Sequence, residues 1–146
     1  MTKEVSIVME GIQKGSEDSP VLTTASGIYH MHHDKHYIQF EEQEEEGQGI
    51  IKNMIKIALN KVEMTKKGTV NSEMVFDLDH KTEIIYRTSF GTLYFEAQTS
   101  KITINEEAEK LEVLLEYSLF SNDDSISENR TIIRITSSPS QDIEEA

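Results

Sequence analysis

Lys110-Leu111-Glu112-Val113-Leu114-Leu115-Glu116-Tyr117-Ser118-Leu119-Phe120 is the stretch that decides the fold. Leu111, Val113, Leu115, Tyr117 and Leu119 recur at every second position. A period of two places one set of side chains on one face of a strand. The same alternation runs through Leu93, Phe95 and Ala97, and through Val70, Met74 and Phe76.

Working outward, further strands are expected at residues 5–9, 22–31, 35–42, 69–76, 81–88, 91–104, 110–120 and 130–136. Residues 49–66 fit two patterns. Ile50, Ile51, Met54, Ile55, Ala58, Leu59 and Val62 match a helical stripe, while Ile51, Ile55, Ile57 and Leu59 match a strand face with Lys52 and Lys56 opposite. The β-branched isoleucines and the turn candidates Asn60-Lys61 and Lys67-Gly68 favour two strands. The connections are short and polar, such as His33-Asp34, Ser89-Phe90, residues 105–109 and residues 121–125. Short links make sequential strands neighbours, and a long meander closes because closure removes its edges. The expectation is an all-β, single-domain, antiparallel up-and-down barrel of eight to ten strands. It would occupy residues 1–137, followed by a frayed acidic tail at 138–146.

The 146 residues suffice for one domain with a core of its own. There is no Cys, so neither disulfides nor thiolate chemistry are available. A net charge of −13 disfavours nucleic acid and anionic membranes as partners. No stretch approaches the length of a membrane-crossing helix, and Met1-Thr2-Lys3-Glu4-Val5 has no secretory character. A cytoplasmic location is expected. The charge is uneven: Glu41, Glu42, Glu44, Glu45 and Glu46 form an acidic run, and Lys52, Lys56, Lys61, Lys66 and Lys67 a basic one.

Little in the sequence carries chemistry. No nucleophile elbow, phosphate-cradling loop or dinucleotide fingerprint is present. His30, His32, His33 and His36 crowd one hairpin, yet a two-residue His33-Asp34 loop would set His30 opposite Tyr37 and His32 opposite Lys35. A cation beside a metal ligand is unfavourable, so no metal is assigned. More informative are the polar residues that interrupt apolar faces. Asn53 is in line with Ile51 and Ile55, Ser72 lies between Val70 and Met74, Thr88 follows Tyr86, Thr99 follows Ala97, and Tyr117 follows Leu115. With the rings of Tyr86 and Phe90, these are the candidate lining of an interior ligand site, because a few convergent polar groups in an apolar cavity fix a ligand.

Gly27-Ile28-Tyr29, Tyr37-Ile38-Gln39-Phe40-Glu41 and Lys67-Gly68-Thr69-Val70 leading to Met74-Val75-Phe76 carry a family resemblance. So do Tyr86-Arg87-Thr88-Ser89-Phe90-Gly91-Thr92-Leu93 closing into Thr99, then Leu115-Glu116-Tyr117-Ser118-Leu119 and Asn129-Arg130-Thr131-Ile132. In order and spacing, over nearly the whole chain, the sequence resembles the YwiB-like proteins, small bacterial barrels of calycin or lipocalin-like fold. Ser89 departs from the pattern, standing where many members carry Pro. The resemblance implies strands at 49–66 and no enzyme activity, and no cofactor is expected. It also implies an interior that could hold a small apolar ligand. A non-enzymatic barrel binding an apolar or amphipathic molecule inside is therefore the first functional expectation. An interaction module using the outer surface, motivated by the segregated charge, is the alternative.

Overall fold

The computed structural model describes residues 2–15, 20–43 and 49–137. The expected tail at 138–146 and residues Glu44, Glu45 and Glu46 of the acidic run lie outside the described residues. Ten strands follow one another: β1 (Thr2–Gln13), β2 (Val21–His32), β3 (Lys35–Gln43), β4 (Ile50–Ala58), β5 (Lys61–Lys67), β6 (Asn71–Asp77), β7 (Thr82–Thr88), β8 (Gly91–Glu107), β9 (Lys110–Ser121) and β10 (Asp124–Ser137). Each is antiparallel to its neighbours in the chain, and β10 pairs β1 to close the barrel. The ambiguous segment at 49–66 forms strands, because Ile55, Ile57 and Val62 then share one buried face.

The inner face is built from the alternation. Val5 and Ile7 of β1, Ile38 and Phe40 of β3, Ile55 and Ile57 of β4, Val62 of β5 and Phe76 of β6 are buried, as are Leu111, Val113 and Leu115 of β9 and Ile133 and Ile135 of β10. Met9, Ala25, Met64, Met74, Phe95 and Tyr117 pack against them, half-buried.

Two hairpins turn through paired residues of positive φ. These are His33 (51°) with Asp34 (63°), and Asn122 (52°) with Asp123 (69°). Two consecutive left-handed residues give the turn whose twist matches the flanking strands. At the β7–β8 turn Gly91 takes φ 136° with open space where a Cβ would sit. Its role there is conformational freedom rather than close approach.

A register shift in β8 breaks the alternation. Thr99 pairs Tyr117 and Lys101 pairs Glu116, so Ser100 is an extra residue in β8. An extra residue reverses which side chains face inward. Phe95, Ala97 and Thr99 point in before it, and Ile102, Ile104 and Glu106 after it. The strand also runs on to Glu107, through residues whose composition suggests a connection. Because β7 begins at Thr82, opposite Ala97, β8 from Gln98 onward has β9 on one side and no strand on the other among the described residues.

Candidate functional site

The interior candidates separate into three places. At the end of the barrel carrying the Ser89-Phe90 turn, Asn53 and Ser72 come together. The two line one pocket of about 60 Å³ with Met9, Met64 and Met74, and the Lys66–Glu42 ion pair (3.0 Å) lies beside it. Tyr86 is half-buried opposite Ser72 on the neighbouring strand. The Asn53 amide donates to the Ile51 carbonyl (3.4 Å). Ser72, only 2% exposed, has no hydrogen-bond partner for its hydroxyl among the described residues. A buried hydroxyl without a partner loses its hydration and regains nothing. Ser72→Ala is therefore expected to raise the unfolding free energy by about 1 kcal/mol in urea denaturation. A fall in stability would mean that the hydroxyl is bonded in solution.

Thr99 and Tyr117 are cross-strand partners deeper in the barrel. The Tyr117 ring packs on Phe76 with centroids 4.5 Å apart. Burial pushes the Tyr117 phenol above its ordinary value, partly offset by a hydrogen bond with Thr131. Thr99 Oγ1 is another buried hydroxyl without a partner among the described residues.

Phe90 and Thr88 do not line the interior. Phe90 is 99% exposed, since it occupies the hairpin turn itself, beyond the last inward position of β7. The Thr88 hydroxyl accepts from the Phe90 amide (3.1 Å) and donates to the Gly91 carbonyl (3.1 Å). It holds the turn rather than a ligand.

A polar arrangement not anticipated from the sequence closes the opposite end. The Tyr29 hydroxyl lies 2.7 Å from Nδ1 of His36, which is 6% exposed, and His36 Nε2 lies 3.4 Å from Glu106 Oε1. With Nε2–H directed at the carboxylate, Nδ1 is free to accept from the phenol. Burial, and secondarily the Glu106 charge, push the Tyr29 phenol upward, so it remains a donor. The chain Tyr29–His36–Glu106 thus ties β2 and β3 to β8 across the mouth. His36 is placed by the alternation that buries Ile38, but its partner Glu106 faces inward only because of the Ser100 bulge. The other histidines sit outside this chain. His30 stacks on Tyr37 at 5.0 Å between centroids, and His32 pairs Lys35 in register. Among the described residues no three His, Cys, Asp or Glu side chains are grouped to hold a metal ion.

A larger concavity lies outside. Over β2 to β5 the outer face forms an open groove of about 1020 Å³. Its floor is one cross-strand row, Ile28–Gln39–Met54–Thr65, with Ser26 beside it. The next row, Glu41–Lys52–Lys67, supplies charge. Ile28 is 46% exposed. Counted from the His33-Asp34 turn, Gly27 is the last residue of β2 to pair with β3, and the two backbones come close there: a Cβ on Gly27 would collide with the Gln39 carbonyl oxygen and lie 2.9 Å from Ile7 Cδ1. Asn53 and Phe40 also border the groove. The readable signal was Ile28 beside Ser26 and His30, and Met54 between Lys52 and Lys56, apolar residues flanked by polar ones on the same face.

Among the described residues no helix is long and apolar enough to cross a membrane. No curated protein matches the chain. The fold is similar to that of the crystal structure of the ywiB protein from Bacillus subtilis, with a TM-score of 0.80 and 17% sequence identity, over 94% of this chain and 93% of that one. Residues 5–133 match a family described as a domain of unknown function, DUF1934. A match over that span, on a closed ten-stranded barrel of the YwiB type, makes this chain a member of the DUF1934 family.

Proposed function

We propose that this is a non-enzymatic binding protein that takes an amphipathic molecule in the outer groove over β2 to β5. The observation that carries the proposal is one of volume. The groove offers about 1020 Å³, whereas the pocket beside Ser72 offers about 60 Å³. Ligand sites for small molecules begin at roughly 300 Å³. The interior pocket has room for water; the groove has room for a ligand.

The groove chemistry specifies the class. Ile28 and Met54 present apolar surface, and methionine adapts its shape to what it contacts. The Gln39 amide and the Ser26 and Thr65 hydroxyls offer directional hydrogen bonds. Lys52 and Lys67 suit an anionic head group placed away from Glu41. Of the five lysines in the basic stretch, Lys56 and Lys66 are occupied by Glu63 (3.6 Å) and Glu42 (3.0 Å). This pairing weakens the reading in which the whole stretch forms a protein-docking face.

Native mass spectrometry of untagged protein, purified gently from its source cells, tests this. A reproducible adduct is expected on the wild type and on Ser72→Val, and its loss on Met54→Arg. An adduct kept by Met54→Arg and lost by Ser72→Val would return the site to the interior. A clean apo mass for every variant would remove the small-ligand reading.

A further inference from the structure

In a closed barrel a strand that outruns its neighbour leaves part of its edge without a partner, and the second half of β8 is such a segment. From Gln98 to Glu107, β8 pairs β9 and has no strand on its other edge among the described residues. An open edge presents a row of backbone donors and acceptors ready to pair with another strand. Its side chains limit which strand fits. After the Ser100 bulge, Lys101, Thr103, Asn105 and Glu107 share the outer face, with a cation at one end and an anion at the other.

We propose that this edge is a homodimer interface, formed by antiparallel pairing of β8 with β8 of a second copy about a two-fold axis at Ile104. In that register Lys101 of each copy stands opposite Glu107 of the other, and Thr103 stands opposite Asn105. The charge pattern is therefore self-complementary in the antiparallel sense. An in-register parallel pair would set Lys101 against Lys101. A two-fold axis repeats each favourable contact, so two Lys–Glu pairs form at once. Lys101 and Glu107 are both exposed in the single chain, so the pairs can form without displacing any packed side chain. Directly opposed unlike charges on a sheet stabilise the pairing, and like charges oppose it. The inference is independent of the groove, which lies on β2 to β5.

Sedimentation velocity over a micromolar concentration series tests it. Wild type is expected to show a monomer–dimer equilibrium. Lys101→Glu alone and Glu107→Lys alone should each weaken the dimer about tenfold, because each puts like charges opposite one another twice. Combining both substitutions restores opposite charges and should restore the dimer. Both positions are exposed, and thermal melts of the variants check that the fold is kept. Backbone amides between Lys101 and Glu107 should exchange more slowly in the dimer. A monomer at every concentration would overturn the proposal. So would a dimer that neither single substitution weakens, or one that the double substitution fails to restore.

Discussion

Replacing Phe76 by alanine is expected to lower the unfolding free energy by about 4 kcal/mol, while Phe90→Ala changes it by less than about 0.5 kcal/mol. Phe76 is 1% exposed and packs against Tyr117 across the core. Removing its ring forfeits the transfer energy of the buried atoms and leaves a void that the rigid wall of paired strands cannot collapse to fill. The same ring at Phe90 stands in solvent at a hairpin tip, and its removal empties nothing. Urea denaturation of both variants measures the contrast. Equal losses at the two positions would mean that the β7–β8 turn folds back onto the barrel.

Gly27→Ala is the second large effect, an expected loss of about 3 kcal/mol from one added methyl. The cause is space, since Gly27 has no left-handed φ. Its new Cβ would press on the Gln39 carbonyl oxygen and lie 2.9 Å from Ile7 Cδ1 and 3.0 Å from Phe40 Cβ. A carbonyl oxygen in a sheet ladder cannot rotate away as a side-chain tip can, so β2 and β3 must separate. That separation reshapes the groove. The loss should appear in denaturant midpoint, together with a weaker native-mass adduct. A stability equal to wild type would show that the close approach of β2 and β3 has slack.

Much of the barrel was legible because one signal repeats. Alternation at Leu111, Val113, Leu115, Tyr117 and Leu119 names the inner face of β9, of which the first three are buried and the last two half-buried. The helix-or-strand ambiguity at Ile50 to Val62 was resolved by neighbours: Ile55 needs Ile38 on one side and Met64 on the other. Alternation fails where a residue is added. Ser100 shifts the phase of β8, so Glu106 reads as loop yet faces His36 inside the mouth. Phe90 failed for a related reason: hydrophobicity says nothing about whether a residue stands in a strand or in the turn that ends it. The candidate site was half legible. Asn53, Ser72, Thr99 and Tyr117 are inside, as polar interruptions of an apolar face should be. The outer groove borders the close backbone approach at Gly27, and periodicity carries no information about how closely two backbones approach.

The central claim is that the ligand site lies on the outside of the barrel. Amide chemical-shift mapping of isotope-labelled protein titrated with a small-molecule extract of the source cells tests it most directly. The account predicts perturbations concentrated at Ser26, Ile28, Gln39, Met54 and Thr65. Perturbations concentrated at Thr23, Ser72, Met74 and Tyr117, with the outer row unmoved, would contradict it and put the ligand inside.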